Sequence, residues 1–295
     1  MKQPIFRGSA TALVTPFFSD GAVDYETLGR LIDTQISAGT DALVPCGTTG
    51  ESATMNDKER LSVIEYTLWK TAGRIPVIAG TGTNDTAKSA ALTKSAQHLG
   101  VDGILAVCPY YNKPEQEGIR RHYETLADLG SPVIVYHVPG RTGRGIAPET
   151  LKELSAHPNI VGLKDAGGSL QEAATVRSLC GDNLPVYSGD DGCIVPFLSL
   201  GGEGVISVVS NILPRVVHNL CIAWFSGDVK GACDLQLRLM PLVKALFRRT
   251  NPVPIKGALE YLGYPEQFLR LPLCPLSAEE KESVFEAMKP WLKEE

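Results

Sequence analysis

The chain has 295 residues, of which 43% are hydrophobic and 21% charged, and it carries a net charge of −5. That supplies enough apolar material for a full globular core. The acidic balance, without a basic run or aromatic–basic interleaving, excludes a nucleic-acid footprint. No stretch reaches the length of roughly 18 apolar residues that would read as a membrane span. The N-terminal Met1–Gly8 lacks the apolar core of a secretory signal. Seven cysteines without a C-x-x-C pair read as reduced thiols of a cytoplasmic protein, not as a disulfide framework or a metal site. No cofactor-binding motif is evident.

Taken in chain order, eight short β-branched runs recur. They are Ala10–Val14, Ala42–Cys46, Pro76–Ala79, Gly103–Cys108, Pro132–His137, Ile160–Lys164, Pro185–Ser188 and Gly204–Val209. Amphipathic stretches lie between them. Asp24 to Ala38 ends at Gly39, Asn56 to Ala72 at Gly73, and Asp85 to Leu99 at Gly100, each pairing an N-cap residue with a terminating glycine. Eight β-then-α units predict a (β/α)8 TIM barrel. An open doubly wound sheet is the alternative, but no G-x-G-x-x-G follows the first strand. After Gly227 the strand signal stops, and Asp228–Arg249, Val253–Leu262 and Ala278–Lys289 read as helices separated by prolines. The expected division is a barrel over residues 1–226 and a small helical appendage over 227–295.

A barrel carries its chemistry at the carboxyl ends of its strands. Unusual residues collect there. Lys164 stands in the apolar run Ile160–Lys164, where burial disfavours an ammonium and lowers its pKa; a neutral amine in a cleft attacks ketones to form Schiff bases. The bland reading is a strand-end lysine whose head reaches water. Gly47-Thr-Thr-Gly50 is either a tight turn or a cradle for a small carboxylate, and it lacks the Gly-Lys-Ser/Thr ending of a P-loop. Tyr110, Tyr111 and Tyr136 are packing aromatics or proton-relay hydroxyls. Arg141 is a surface charge or a carboxylate fork. His137 alternates to the face opposite Tyr136 and reads as structural, and Asp190-Asp191 as a helix start. No cluster has metal-ligand spacing. A buried amine, tyrosine hydroxyls, paired threonines and an arginine on one rim point to metal-free Schiff-base catalysis on a small keto acid.

The motifs Gly47-Thr-Thr-Gly-Glu-Ser-Ala-Thr54, Pro109-Tyr-Tyr-Asn112, Tyr136-x-Val-Pro-x-Arg-Thr142 and Gly162-Leu-Lys-Asp165 resemble the dihydrodipicolinate synthase family of pyruvate-dependent class I aldolases and lyases. Gly201-Gly-x-Gly-Val-Ile-Ser207 and Asn251-Pro-x-Pro254 extend the likeness through nearly the whole chain. The resemblance implies that Lys164 forms the imine with pyruvate, that Tyr136 and Thr48 pass protons, and that Tyr111 completes the relay from a neighbouring subunit of a homotetramer. It implies that Thr48 and Thr49 hold the pyruvate carboxylate, that Arg141 binds aspartate semialdehyde, and that Gly189 and Ile206 line the pocket through their backbone. The implied product is 4-hydroxy-tetrahydrodipicolinate, at the first committed step toward diaminopimelate and lysine. The family's usual asparagine after the strand-five tyrosine is His137 here.

Lysine-sensitive relatives bind lysine at a subunit interface, and Ser52, Ala53, Asn84 and Tyr110 match that site. Asp57 and Arg60 replace two histidines there, and Lys88 replaces a glutamate, so the resemblance implies weak or absent lysine inhibition. Other members of the family, acting on N-acetylneuraminate or keto-deoxy sugars, remain the alternative, and a non-catalytic keto-acid binder is a more remote one.

Overall fold

The computed structural model describes residues 2–293, so Met1 and the last two residues of the expected appendage lie outside the described part. Eight parallel strands are formed: β1 Gly8–Ala12, β2 Ala42–Val44, β3 Ile78–Gly80, β4 Gly103–Val107, β5 Val133–His137, β6 Ile160–Asp165, β7 Val186–Ser188 and β8 Gly204–Ser207. They are ordered β2-β1-β8-β7-β6-β5-β4-β3. The Leu43 N–H donates to Pro76 O at 2.9 Å and the Gly80 N–H to Pro45 O at 3.0 Å, which brings β2 against β3 and closes the ring. Each predicted strand is present. All eight differ from the expected bounds by one or two residues at an end, and two of the differences have a visible physical reason. The N–H groups of Val208 and Val209 donate to the Asp191 carboxylate, so β8 ends at Ser207 and a 3-10 turn takes over. The N–H of Val14 donates to Asn211 Oδ1, which puts the apolar pair after Ala12 outside the strand.

Twelve helices accompany the strands among the described residues: α1 Tyr25–Ser37, α2 Asp57–Thr71, α3 Thr86–Leu99, α4 Gln116–Ala127, α5 Pro139–Thr142, α6 Pro148–Ser155, α7 Leu170–Cys180, α8 Ile194–Ser199, α9 Pro214–Phe225, α10 Val229–Leu246, α11 Val253–Tyr261 and α12 Ala278–Met288. The expected starts hold: Asp24 accepts from Thr27 N, Asn56 forms a capping box with Glu59, and Asp85 accepts from Ala87 N and Lys88 N. Pro254 does not break a helix. It sits in the first turn of α11, where an N–H would have no acceptor within the helix.

Alternation along the strands sorts side chains into two cores. Ala10, Ala12, Val44, Ile78, Leu105, Ile134, Tyr187 and Ile206 fill the barrel, with Phe6 entering from the N-terminal end. Phe6 stacks on Tyr187 at 4.3 Å, and the Tyr187 hydroxyl donates to Phe6 O at 2.8 Å. Burying each of these rings contributes about 1.5–3 kcal/mol. The outward faces pack with the helices, and Leu239 and Leu242 of α10, Ile255 of α11 and Met288 of α12 join that same outer core. A buried ion pair adds to this join: Lys256 Nζ of α11 lies 2.5 Å from Glu51, and the Lys256 and Arg270 cations each sit 4.3 Å from the ring centre of Phe17.

Candidate active site

The inward residues at the carboxyl ends of β5 and β6 are paired in register, Tyr136 with Lys164. Lys164 is only 5% exposed, and its Nζ lies 4.5 Å from the centre of the Tyr136 ring. Burial pulls the Lys164 pKa down to about 8; the buried Asp191 opposes the shift and Arg141 adds to it. The snorkelling alternative therefore fails, because the amine is enclosed. Burial raises the Tyr136 pKa, while Arg141 and a hydrogen bond with Thr48 hold it back.

Lys164 and Tyr136 face a cleft of about 1010 Å³ that Thr49, Arg141 and Gly189 also line. The strand-two loop is held tightly. Cys46 and Glu51 on either side of Gly47–Gly50 both have positive φ, and a Cβ on Gly80 would sit 2.2 Å from Cys46 O. Substituting Gly80 would therefore push the threonine loop off its seat. Thr48 lies beside a narrow gap that it shares with Tyr136, which puts its hydroxyl next to the phenol. Ile206 is fully buried within the barrel-interior cluster. His137 points to the outer face, where its Nδ1 accepts from Ile146 N at 3.2 Å and Asp165 is its neighbour in register.

Tyr111 is not brought to this cleft. It is 88% exposed on a left-handed turn, φ 73°, after β4. The positions matching the lysine site divide as well. Ser52, Ala53 and Tyr110 line a separate cavity of about 200 Å³ with Arg60, whereas Lys88 is paired with Asp57 at 3.2 Å. Asn84 is near the Tyr111 turn, its carbonyl accepting from Asn112 Nδ2 at 2.8 Å.

Three residues of the site escaped the sequence reading. Asn251 donates from Nδ2 to Thr49 Oγ1 at 2.9 Å, and its carbonyl accepts from Arg141 at 3.2 Å, so one residue after α10 braces both. That bond occupies a lone pair of Thr49 and leaves its hydroxyl proton free to be donated elsewhere. Asp190 and Asp191 begin the turn as expected, Asp190 as its cap and Asp191 in its first turn, but the Asp191 carboxylate is also buried, accepting from Ser207 Oγ and the amides of Val208 and Val209. The third is Met240, which with Phe247 forms an apolar wall of the cleft. The Asn251-Pro-x-Pro254 motif was the available signal for the first; nothing local marks the other two.

Among the described residues no group of three or more His, Cys, Asp or Glu side chains is placed to hold a metal ion, and no helix is long and apolar enough to cross a membrane. The arrangement offers an enclosed amine of lowered pKa, a phenol linked to a threonine hydroxyl, and a braced arginine. Residues 5–290 match the model of the dihydrodipicolinate synthetase family. The 4-hydroxy-tetrahydrodipicolinate synthase of Trichlorobacter lovleyi is 48% identical over 288 residues, 97% of this chain and 99% of that protein. That of Geobacter sulfurreducens is 47% identical, with the same coverage. The solved dihydrodipicolinate synthase of Thermotoga maritima superposes with a TM-score of 0.95 at 43% identity, covering 97% of this chain and 98% of its own. The family model, relatives covered over nearly their whole length and the shared fold agree, and the chain belongs to the dihydrodipicolinate synthetase family.

Proposed function

We propose that the protein condenses pyruvate with aspartate semialdehyde to 4-hydroxy-tetrahydrodipicolinate, releasing one water, on the route to diaminopimelate and lysine. The observation that carries this is Lys164, enclosed by the barrel with its pKa lowered by burial, in register with Tyr136 and 4.5 Å from its ring centre. The neutral Nζ adds to the ketone carbon, water leaves, and an imine forms. Loss of a proton from the methyl carbon gives the enamine, whose carbon attacks the aldehyde. The substrate amine then displaces Lys164, and the ring is released.

These steps need several proton transfers. Tyr136 and Thr48 carry them in this reading, a phenol and a hydroxyl that each donate and accept without holding permanent charge. Thr48 and Thr49 hold the pyruvate carboxylate and Arg141 the carboxylate of the second substrate, with backbone of Gly189 and Ile206 shaping the pocket. Tyr111, exposed in the isolated chain, completes the relay in the cleft of a neighbouring copy, which makes the working form an oligomer, a homotetramer by analogy with the family. Supporting this, the Tyr111 side chain is 88% exposed and does not line the cleft of its own chain.

Lysine is expected to inhibit weakly or not at all. Lys88 stands where the resemblance expects a carboxylate, in a half-exposed pair with Asp57, and Arg60 adds a second cation in the wall of the cavity that Ser52, Ala53 and Tyr110 line. Activity at millimolar lysine tests this, and strong inhibition would contradict it. The reaction itself is tested by giving the pyruvate-loaded protein aspartate semialdehyde in one arm and N-acetylmannosamine in the other. Turnover only with the first is expected; turnover only with the second would assign the chain to the sugar-acid branch of the family.

A further inference from the structure

The loop that carries Arg141 leaves β5 at His137 and is fastened to the same residue on its return. Ile146 is buried, and its N–H donates to His137 Nδ1 at 3.2 Å, nine positions back along the chain. The backbone groups on either side of that amide are held from α4. The Gln116 side chain donates to Gly145 O at 3.0 Å and accepts from Ala147 N at 2.9 Å. His137 thus completes the fastening of the loop base. Its ring is closely seated: a Cβ on Gly167 would stand 2.7 Å from Nε2, so only glycine lets the turn after β6 close on the imidazole. That turn is tied to the same residue, Ala166 N donating to His137 O at 2.9 Å.

An Nδ1 that accepts from an amide carries no proton, so the neutral ring holds its proton on Nε2. A second proton can go only to Nδ1, where it would face the Ile146 N–H and break the bond. Burial lowers the His137 pKa, and the acids facing the ring, Asp165 and Glu172, oppose the shift. Arg144, the other cation of the loop, is turned away to Pro114 O and Glu115.

We propose that His137 is a positioning residue for the second substrate: its Nδ1 lone pair latches the base of the strand-five loop and so holds Arg141 on the cleft wall, and protonating the ring releases the loop. Between latch and guanidinium the loop is short and internally tied. The N–H groups of Arg141 and Thr142 donate to Val138 O at 2.9 and 3.1 Å, and Thr142 Oγ1 donates to Arg144 O at 2.7 Å. The segment therefore shifts as one body when its base is loosened, and Arg141 shifts with it. Lys164 and Tyr136 lie on strands inside the barrel, so imine formation does not depend on the latch. The assignment of Arg141 to the second substrate rests on the proposed reaction; the latch itself does not.

Hydrogen exchange of segment 138–147 in the full wild-type chain reads the latch without turnover and without a variant. Protection, corrected for the intrinsic effect of pH, should hold at pH 7. It should fall about ten-fold or more on the acid side of the ordinary imidazole value of 6.5. His137→Asn keeps an acceptor at the same reach without a titrating proton, and should be protected at both pH values. Unchanged wild-type protection, or a loss shared by His137→Asn, which would belong to Asp165 or Glu172, overturns release by protonation. In steady-state assays at saturating pyruvate, His137→Leu should raise the KM for aspartate semialdehyde about ten-fold or more. Its kcat should stay within about two-fold, it should trap pyruvate with borohydride as wild type does, and His137→Asn should restore the KM. An unchanged KM in His137→Leu, or an equal rise in His137→Asn, overturns the latch. A wild-type chain that exchanges as described but does not turn over the aldehyde contradicts the proposed reaction and leaves the latch standing.

Discussion

At the scale of single residues, Lys164 has an energetic signature apart from its chemistry. Its folded pKa of about 8 lies below the ordinary 10.5, so its charged form is disfavoured in the fold. The shift costs about 3 kcal/mol of stability below pH 8. The cost diminishes as the pH rises from 8 and is gone above the unfolded value of 10.5. Lys164→Met should therefore be more stable than wild type at pH 7, with the difference shrinking toward pH 10.5, as denaturant melts across pH would show; a pH-independent difference would contradict the assignment. The same titration governs activity. The kcat/KM for pyruvate should rise with pH through about 8 as the amine loses its proton. Asp191 holds that pKa up, so Asp191→Asn should move the rise to lower pH. The amide can keep its oxygen on the Val208 and Val209 N–H groups and turn its NH2 to the Ser207 hydroxyl, so the fold survives the change. A pH profile that does not move would remove Asp191 from the account.

Among elements, the join between the threonine loop and the C-terminal helices is held by partners far apart in sequence. Lys256 on α11 pairs with Glu51, which follows the Gly47–Gly50 turn, and both side chains are almost fully buried. Lys256→Met leaves Glu51 as an uncompensated buried charge and should cost about 3–5 kcal/mol, while adding Glu51→Gln should recover part of that loss. A single-variant loss below about 1 kcal/mol, within the range of an exposed pair, would sink this reading. These distances also explain what could be read from sequence. The strands were legible because β-branched runs bounded by turn residues are a local pattern, and Lys164 stood out as a cation in an apolar strand, with Tyr136 and Arg141 collecting on the same rim. Asn251 braces Thr49 across 202 positions, and Asp191 shortens β8 through amides of another element, so neither role has a local signature.

In the whole molecule, assembly turns on Tyr111, which is exposed here and does not line the cleft of its own chain. If each cleft borrows Tyr111 from a two-fold-related copy, Lys164→Ala and Tyr111→Ala chains, each nearly inactive alone, should restore activity on co-refolding. Random pairing gives one competent cleft in each mixed pair, about a quarter of the wild-type total. Mixtures no more active than the separate variants would show that Tyr111 acts in its own chain or not at all.

The central claim is an imine at Lys164, and its most direct measurement is intact mass after incubation with pyruvate and reduction with borohydride. A gain of roughly 72 Da per chain, the reduced imine of pyruvate, is expected in the wild type and absent from Lys164→Ala. An unmodified wild-type mass, or the same gain in Lys164→Ala, would contradict it.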